Sequence, residues 1–424
     1  MDRTEKKDLA MGAFTLKNGM VVSAGKEPYD GSLSVADGKI VSTRGPDSVE
    51  CDLGKQSYIY PALINTHDHM RGNYLPRVGP PDGTYYLNWL PWDNDLKASP
   101  CYAERTLALP IEDGYLLSAY KTLFSGVVTV NDHFIHNMNK DILPTLPVRA
   151  ITDYALAHEC SSYELKWGDG IPTEHKRAVD NGWPFITHLA EGFDTEAMNG
   201  IPYLESFNAL DNHCLFVHCI GVSDDDIKKI AKAGASISWC GASNMYMFNV
   251  TCKIRKFLKA GINCTIGTDS THSGAINMLE EIKYDRGLYR NLYGEDLDAK
   301  TIFLMVTQNS AKAFWMDKKT GALDDGKLAD ILVMTAHNTN PYENLVEASM
   351  NDIELLTMAG RPIYGGERFL PLLGGSLPSG YTAIKVGGKR MFVLGDPSAL
   401  YKRIRTKLNF KKKLDFLPFE PDEG

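Results

Sequence analysis

The stretch YIYPALINTHDHM, residues 58–70, is an apolar run that ends in two histidines two positions apart. Side chains alternate faces along a strand, so His67 and His69 point to the same side and can share one ligand. Downstream the pattern repeats. The apolar runs VVTVND, VRAITDYALA, PFITHLAEG, CLFVHCIGVS, ASISWC and INCTIGTDS alternate with the amphipathic segments EDGYLLSAYKTLFSG, DDDIKKIAKAG, VTCKIRKFLKAG and INMLEEIKYDRGLYRNLYG. Strands that are apolar throughout, separated by helices, make a parallel sheet covered on both sides. Seven such strands can be placed, which favours an α/β (β/α)8 TIM-type barrel over a doubly wound sheet. The eighth is expected between Tyr154 and Pro184, where strand character is weak.

On either side of the barrel the period changes. Residues 13–56 read as short strands with KNG, YDG and ADGK as turn chemistry, and KLADILVMT with IELLTMAGRPIYGGERF read as strand, turn, strand. The expected organisation is a small β-sandwich from both chain ends, residues 1–57 and 321–369, bracketing a barrel over 58–320. Residues 370–424 form a C-terminal extension. Its basic run, YKRIRTKLNFKKKL, reads as the solvated face of a terminal helix.

Composition narrows the class of function. A net charge of −8 gives no general attraction to nucleic acid or to an anionic membrane, leaving a small molecule as the expected partner. Self-association is left open. No apolar run approaches the ~20 residues of a membrane span, and the start MDRTEKKDLAMG is too polar for a signal peptide, so a cytoplasmic location is expected. The eight scattered cysteines, with no CxxC pair, read as buried reduced thiols.

In a parallel barrel the chemistry lies at the C-terminal ends of the strands. Polar residues ending the apolar runs are His67, His69, His188, Glu191, His218 and Asp269. His133, in VVTVNDHF, reads instead as a hydrogen-bonded core histidine. Three imidazoles and a carboxylate suit Zn²⁺, with Fe²⁺ or Mn²⁺ also compatible, and leave a position for water. Such an ion makes hydroxide available near neutral pH, which points to hydrolysis. Glu191 is placed to act as a carboxylic acid of raised pKa, delivering a proton as hydroxide attacks.

The segments PALINTHDH, FITHLAEG, LFVHCIG, SWCGASN and TIGTDS, with VTQNSAKAFWMDKKTGALDDGKLADILVM, resemble the amidohydrolase superfamily over roughly residues 12–369. The resemblance is to its branch of mononuclear metal deaminases and related chlorohydrolases, typified by cytosine, guanine and S-adenosylhomocysteine deaminases. It implies a single divalent metal on His67, His69, His188 and Asp269, with Glu191 and His218 as the acid/base pair and Asp269 also accepting the water's proton. No lysine stands at a strand end between Arg149 and Leu189 to bridge a second metal.

The resemblance further implies hydrolytic deamination of an N-heterocycle or amidine-type molecule. Ring opening of a cyclic amide and hydrolysis of a chlorinated ring are the alternatives within the enzymes, and a non-catalytic barrel scaffold is the alternative outside them. Trp89 and Leu90 match the family's substrate-covering pair. The glutamate that follows in nucleoside-binding members is replaced by Pro91 and Trp92, which argues against a nucleoside substrate. Trp89, Trp92, His272 and Ser273 are the expected substrate contacts, and Tyr85 and Tyr86 are further candidates for an aromatic wall. The short segment between the third and fifth strands is expected to distort the barrel.

Overall fold

The structure is a computed structural model describing residues 12–43, 45, 48–80 and 83–419. Eight barrel strands run in chain order: Leu63–Asp68, Val127–Asp132, Arg149–Ala150, Ala155–Glu159, Phe185–Leu189, Cys214–His218, Ser236–Trp239 and Asn263–Ile266. The first three form one parallel sheet and the last five another. Most barrel-strand positions are buried, as a sheet covered on both faces requires.

Two seams interrupt the ladder. At the first, the run VRAITDYALA turns out to be two strands, the third shrunken to Arg149–Ala150 and the fourth beginning at Ala155. The eighth strand thus falls inside the interval expected for it, at the near edge. Side chains cross the gap in place of backbone bonds: the His133 ring meets the Ala157 carbonyl at 3.0 Å, and the Tyr154 hydroxyl donates to the carbonyls of Asp132 and Phe134. At the second seam the first and last strands meet through Asp269 N–H to the His67 carbonyl, 3.1 Å, and Thr66 Oγ1 to the Ile266 carbonyl, 2.9 Å. Gly267 permits that approach, because a Cβ there would lie 2.7 Å from His67 Cβ.

The opening run is also divided. Ser57–Pro61 leaves the barrel and pairs antiparallel with Ile331–Thr335, and only Leu63–Asp68 enters it. This pairing joins the two chain ends into one mixed ten-stranded sheet. Of the expected turns, ADGK is one, with Asp37 and Gly38 both at positive φ. KNG is instead an irregularity within the strand Phe14–Val21, and YDG lies inside Tyr29–Ala36.

The segment after residue 370 does not stand apart. Tyr381–Val386 and Lys389–Leu394 form a hairpin that extends the same sheet, and the helix Pro397–Lys407 packs on the helix Ile111–Leu123 through Leu400 and Ile404. All eight cysteines are free thiols, and only Cys101 is partly exposed.

Candidate active site

The ends of the first, fifth, sixth and eighth strands carry His67 and His69, His188, His218 and Asp269 to one place. His188 Nε2 lies 3.3 Å from His67 Nε2, and Asp269 Oδ1 lies 3.9 Å from His67 Nε2 and 3.8 Å from His69 Nε2. Burial holds the His67 and His188 imidazoles well below their ordinary pKa, so their lone pairs stay available. For Asp269 burial alone would raise the pKa, but the imidazoles of His69, His67 and His218 outweigh it and hold the carboxyl well below its ordinary value. His69 Nδ1 faces the His133 carbonyl at 3.0 Å, which puts the proton on Nδ1 and turns Nε2 toward Asp269.

Positioning of these groups is built into the backbone. His218 and Asp269 both have positive φ, 68° and 51°, at the points where their strands end. Such conformations cost roughly 1–3 kcal/mol each and persist where surrounding structure over-determines them. Beneath the cluster Asp68, whose side chain points away from His67 and His69, accepts from Lys121 Nζ at 2.7 Å. The same ammonium reaches Asn73 Oδ1, Thr268 Oγ1 and the Asp269 carbonyl, so one buried cation ties the HxH strand to the strand end bearing Asp269. Ser243 and Ser273 both donate to Asp269 Oδ2, at 2.7 and 2.9 Å, leaving Oδ1 to face the histidines.

Glu191 lies beside this cluster, with Oε1 3.6 Å from His218 Nε2. Burial first, then the neighbouring carboxyls of Glu159, Asp269 and Asp93, raise its pKa well above the ordinary carboxylate value. A carboxyl kept protonated in this way can donate. His218 Nδ1 lies 2.9 Å from Asn244 Oδ1, which fixes the proton there and leaves Nε2 as an acceptor toward the site. Gly192 follows Glu191 closely, with φ 156° and only 2.6 Å between a Cβ there and Asn88 Cβ, so it lets the Trp89 loop press down. That loop is held by Trp89 N–H to the Glu191 carbonyl, 3.2 Å.

A cavity of about 360 Å³ opens over the cluster and is lined by His69, His188, Glu191, His218 and Asp269. Trp89, Trp92 and His272, expected as substrate contacts, line it too. Ser273 does not; it bonds Asp269 instead. Tyr86 packs behind Trp89 and donates to Asp95, and Tyr85 is exposed.

Several wall residues carried no clear signal in the sequence. His158, buried with Nδ1 unpaired, lies 4.3 Å centroid to centroid from Trp89. Trp167 and Phe134 supply further aromatic wall. His158 immediately follows the apolar YALA, so a strand-end reading of YALAHE would have found it. His133 is hydrogen-bonded in the core as expected, yet it also sits within reach of His67 and His188.

The donor set fits a divalent cation. Zinc with nitrogen or oxygen ligands at ~2.1 Å in a tetrahedron separates those ligands by ~3.4 Å, close to the spacings here. Two unprotonated imidazole nitrogens facing each other at 3.3 Å have no hydrogen bond to share when both lone pairs point inward, and a common cation resolves the conflict. The fourth strand ends in His158 and Glu159, with no lysine.

Comparisons with known proteins agree with this geometry. Residues 178–363 match the Amidohydrolase family. The chain is 25% identical over 366 residues to a 5′-deoxyadenosine deaminase of Methanopyrus kandleri, covering 73% of this chain and 82% of that one. It is 29% identical over 223 residues to a 5-methylthioadenosine/S-adenosylhomocysteine deaminase of Thermococcus sibiricus, covering 49% and 51%. In fold it is similar to the zinc-bound crystal structure of an adenosine deaminase from Xanthomonas campestris, with TM-score 0.72 at 17% identity, over 93% of this chain and 97% of that one. Residues 178–363 are thus identified as an Amidohydrolase family domain, and they lie within a (β/α)8 barrel, carrying a separate β-rich part, at whose strand ends histidines and an aspartate converge.

Proposed function

We propose that the chain is a metal-dependent hydrolase that deaminates a small N-heterocycle or amidine-type molecule. The observation that carries this reading is the convergence, on one aromatic-walled cavity, of the donor set His67, His69, His188 and Asp269 with the carboxyl of Glu191. A single ion held by those four residues, zinc being the best fit to nitrogen and oxygen donors, would supply Lewis acidity to a solvent nucleophile. The chain's own residues do the rest. Glu191, kept protonated by burial, delivers a proton to the ring nitrogen as the exocyclic C–N bond is attacked. His218, its tautomer set by Asn244, accepts a hydrogen bond from the attacking water and orients it. Asp269 takes up the water's proton. Trp89, Trp92, Trp167 and Phe134 flank the ring and exclude water.

The similar proteins from Methanopyrus and Thermococcus are named for adenosine-type nucleosides, but this chain does not present a carboxylate for a ribose diol at positions 91 and 92. Trp92 instead donates to the Val78 carbonyl and lies against His272, and the nearby Asp93 is engaged by Lys97 at 2.6 Å. The test is ammonia release by zinc-loaded protein across purines, pyrimidines, pterins and triazines, with chloride release and ring opening followed in parallel. Turnover that releases ammonia supports the proposal. Zinc-loaded protein that releases ammonia from no member of the panel sinks it.

A further inference from the structure

The cavity wall carries more positive charge than the chemistry above consumes. Its lining includes Arg71, Lys97 and Arg105 against Asp93, Glu191 and Asp269. Lys97 is neutralised by Asp93, Asp269 belongs to the proposed donor set, and Glu191 faces His218 Nε2 at 3.6 Å. Among the described residues no carboxylate lies within ion-pair distance of Arg71 or Arg105.

Both guanidiniums are pre-positioned. Arg71 is stacked on Phe134 with its central carbon 3.7 Å from the ring centroid, which covers one face and leaves its N–H edge free. Arg105 lies over Tyr102 at 5.1 Å and spends Nη1 on the Arg71 carbonyl at 3.0 Å. Its Nε is buried with no hydrogen-bond partner. Burial first, and then the charge of Arg71, pull the Arg105 pKa down, so the two cations are close enough to repel one another. Unpaired, mutually repelling guanidiniums with a free buried donor are costly, and an oxyanion removes that cost.

We infer that Arg71 and Arg105 form an anion subsite, so that the molecule processed here is an N-heterocycle bearing a carboxylate or phosphate group. The inference rests on the proposed function for the heterocycle and on the two arginines for the anion. A planar guanidinium fork matches carboxylate and phosphate oxygens in pairs, which a lysine cannot do. With the nucleobase-like ring against the tryptophans, the anion points toward the helix Pro100–Ala108 that carries Arg105.

The test is calorimetric titration of zinc-loaded full-length protein with matched pairs that differ in charge. One pair is 2-aminopyrimidine-5-carboxylate and its neutral carboxamide; the other is adenosine 5′-monophosphate and adenosine, so the two arms distinguish carboxylate from phosphate. The expected result is that in at least one arm the anionic member binds about tenfold or more tighter, as charge-assisted bonds to two guanidiniums imply. Arg71→Gln and Arg105→Gln should each collapse that preference while leaving the neutral member's affinity unchanged, and Arg105→Lys should restore part of it. Where turnover is measurable, the loss should appear in KM more than in kcat.

Equal binding of charged and neutral members in both arms, no binding of either anion at millimolar concentration, or a preference that survives both glutamine substitutions overturns the inference. Zinc content and ammonia release on the same preparations read the hydrolase proposal separately. A protein that prefers the anion yet releases no ammonia would sink the reaction and keep the subsite, and ammonia release without charge preference would do the reverse.

Discussion

His188 Nε2 faces His67 Nε2 across 3.3 Å, although their residues are 121 positions apart and stand on the fifth and first strands of the barrel. Neither ring has another partner for its second nitrogen: Nδ1 of each is buried and unpaired. The pair makes sense as two ligands of one cation. His67→Ala should therefore give folded protein with far less than one equivalent of bound zinc and no turnover. Elemental analysis beside circular dichroism checks this. Chelation of the wild type should abolish activity, and zinc should restore it.

Glu191 lies close enough to His218 to work with it and is not one of the four residues proposed to hold the ion. Glu191→Gln should keep the metal and lower kcat about 10²- to 10⁴-fold, the range spanned by loss of a positioned acid. Full activity of the glutamine variant on the true substrate would assign the proton delivery elsewhere.

Lys121 lies beneath the ligands with Asp68 at 2.7 Å, and both side chains are almost wholly buried. Lys121→Met would leave the Asp68 carboxylate uncompensated, which costs roughly 3–5 kcal/mol in urea unfolding. Because Lys121 also holds the Asp269 carbonyl, zinc affinity should fall ~10- to 100-fold in the same variant, read by chelator competition.

A pH effect on stability is expected from the buried Glu281, on the helix Met278–Tyr293. Burial raises its pKa from 4.5 to about 8, and Asp285 one turn on is also raised well above its ordinary value by burial and by Glu281. A carboxyl raised in the folded state binds a proton that the unfolded chain releases. Its contribution is fully present below pH 4.5 and is lost as pH rises through about 8. Wild-type melting temperature should therefore fall with pH over that window more steeply than that of Glu281→Gln, which retains an acceptor for the Ala242 N–H. Identical slopes would mean that Glu281 ionises at its ordinary pH.

Much of the site was legible in one dimension because a strand's period and its end are local properties. His67 and His69 share a face by alternation. His188, His218 and Asp269 could be collected simply because each closes an apolar run. His158 escaped because the run was closed at Ala157, whereas the strand continues through His158 to Glu159. Lys412 escaped for another reason. In the sequence it is one of a basic run, whereas in the structure it is partly buried, donates to Thr271 Oγ1 at 2.6 Å and to the Leu75 carbonyl, and ties the C-terminal segment to the loops beside His69 and Asp269. Burial is set by contacts 141 and 337 residues away, which no local pattern records.

The order of strands and helices, the face on which each candidate ligand lies and the kind of chemistry its donor atoms allow were determined by the sequence alone, because these follow from periods of two and 3.6 residues and from side-chain chemistry. Only the tertiary structure decided the two seams of the barrel, the pairing of Ser57–Pro61 with Ile331–Thr335, and the placing of Arg71 and Arg105 on the wall of one cavity. Each of these depends on long-range contacts whose free energy is fixed by which surfaces meet, and the amino-acid order specifies that only through the whole fold.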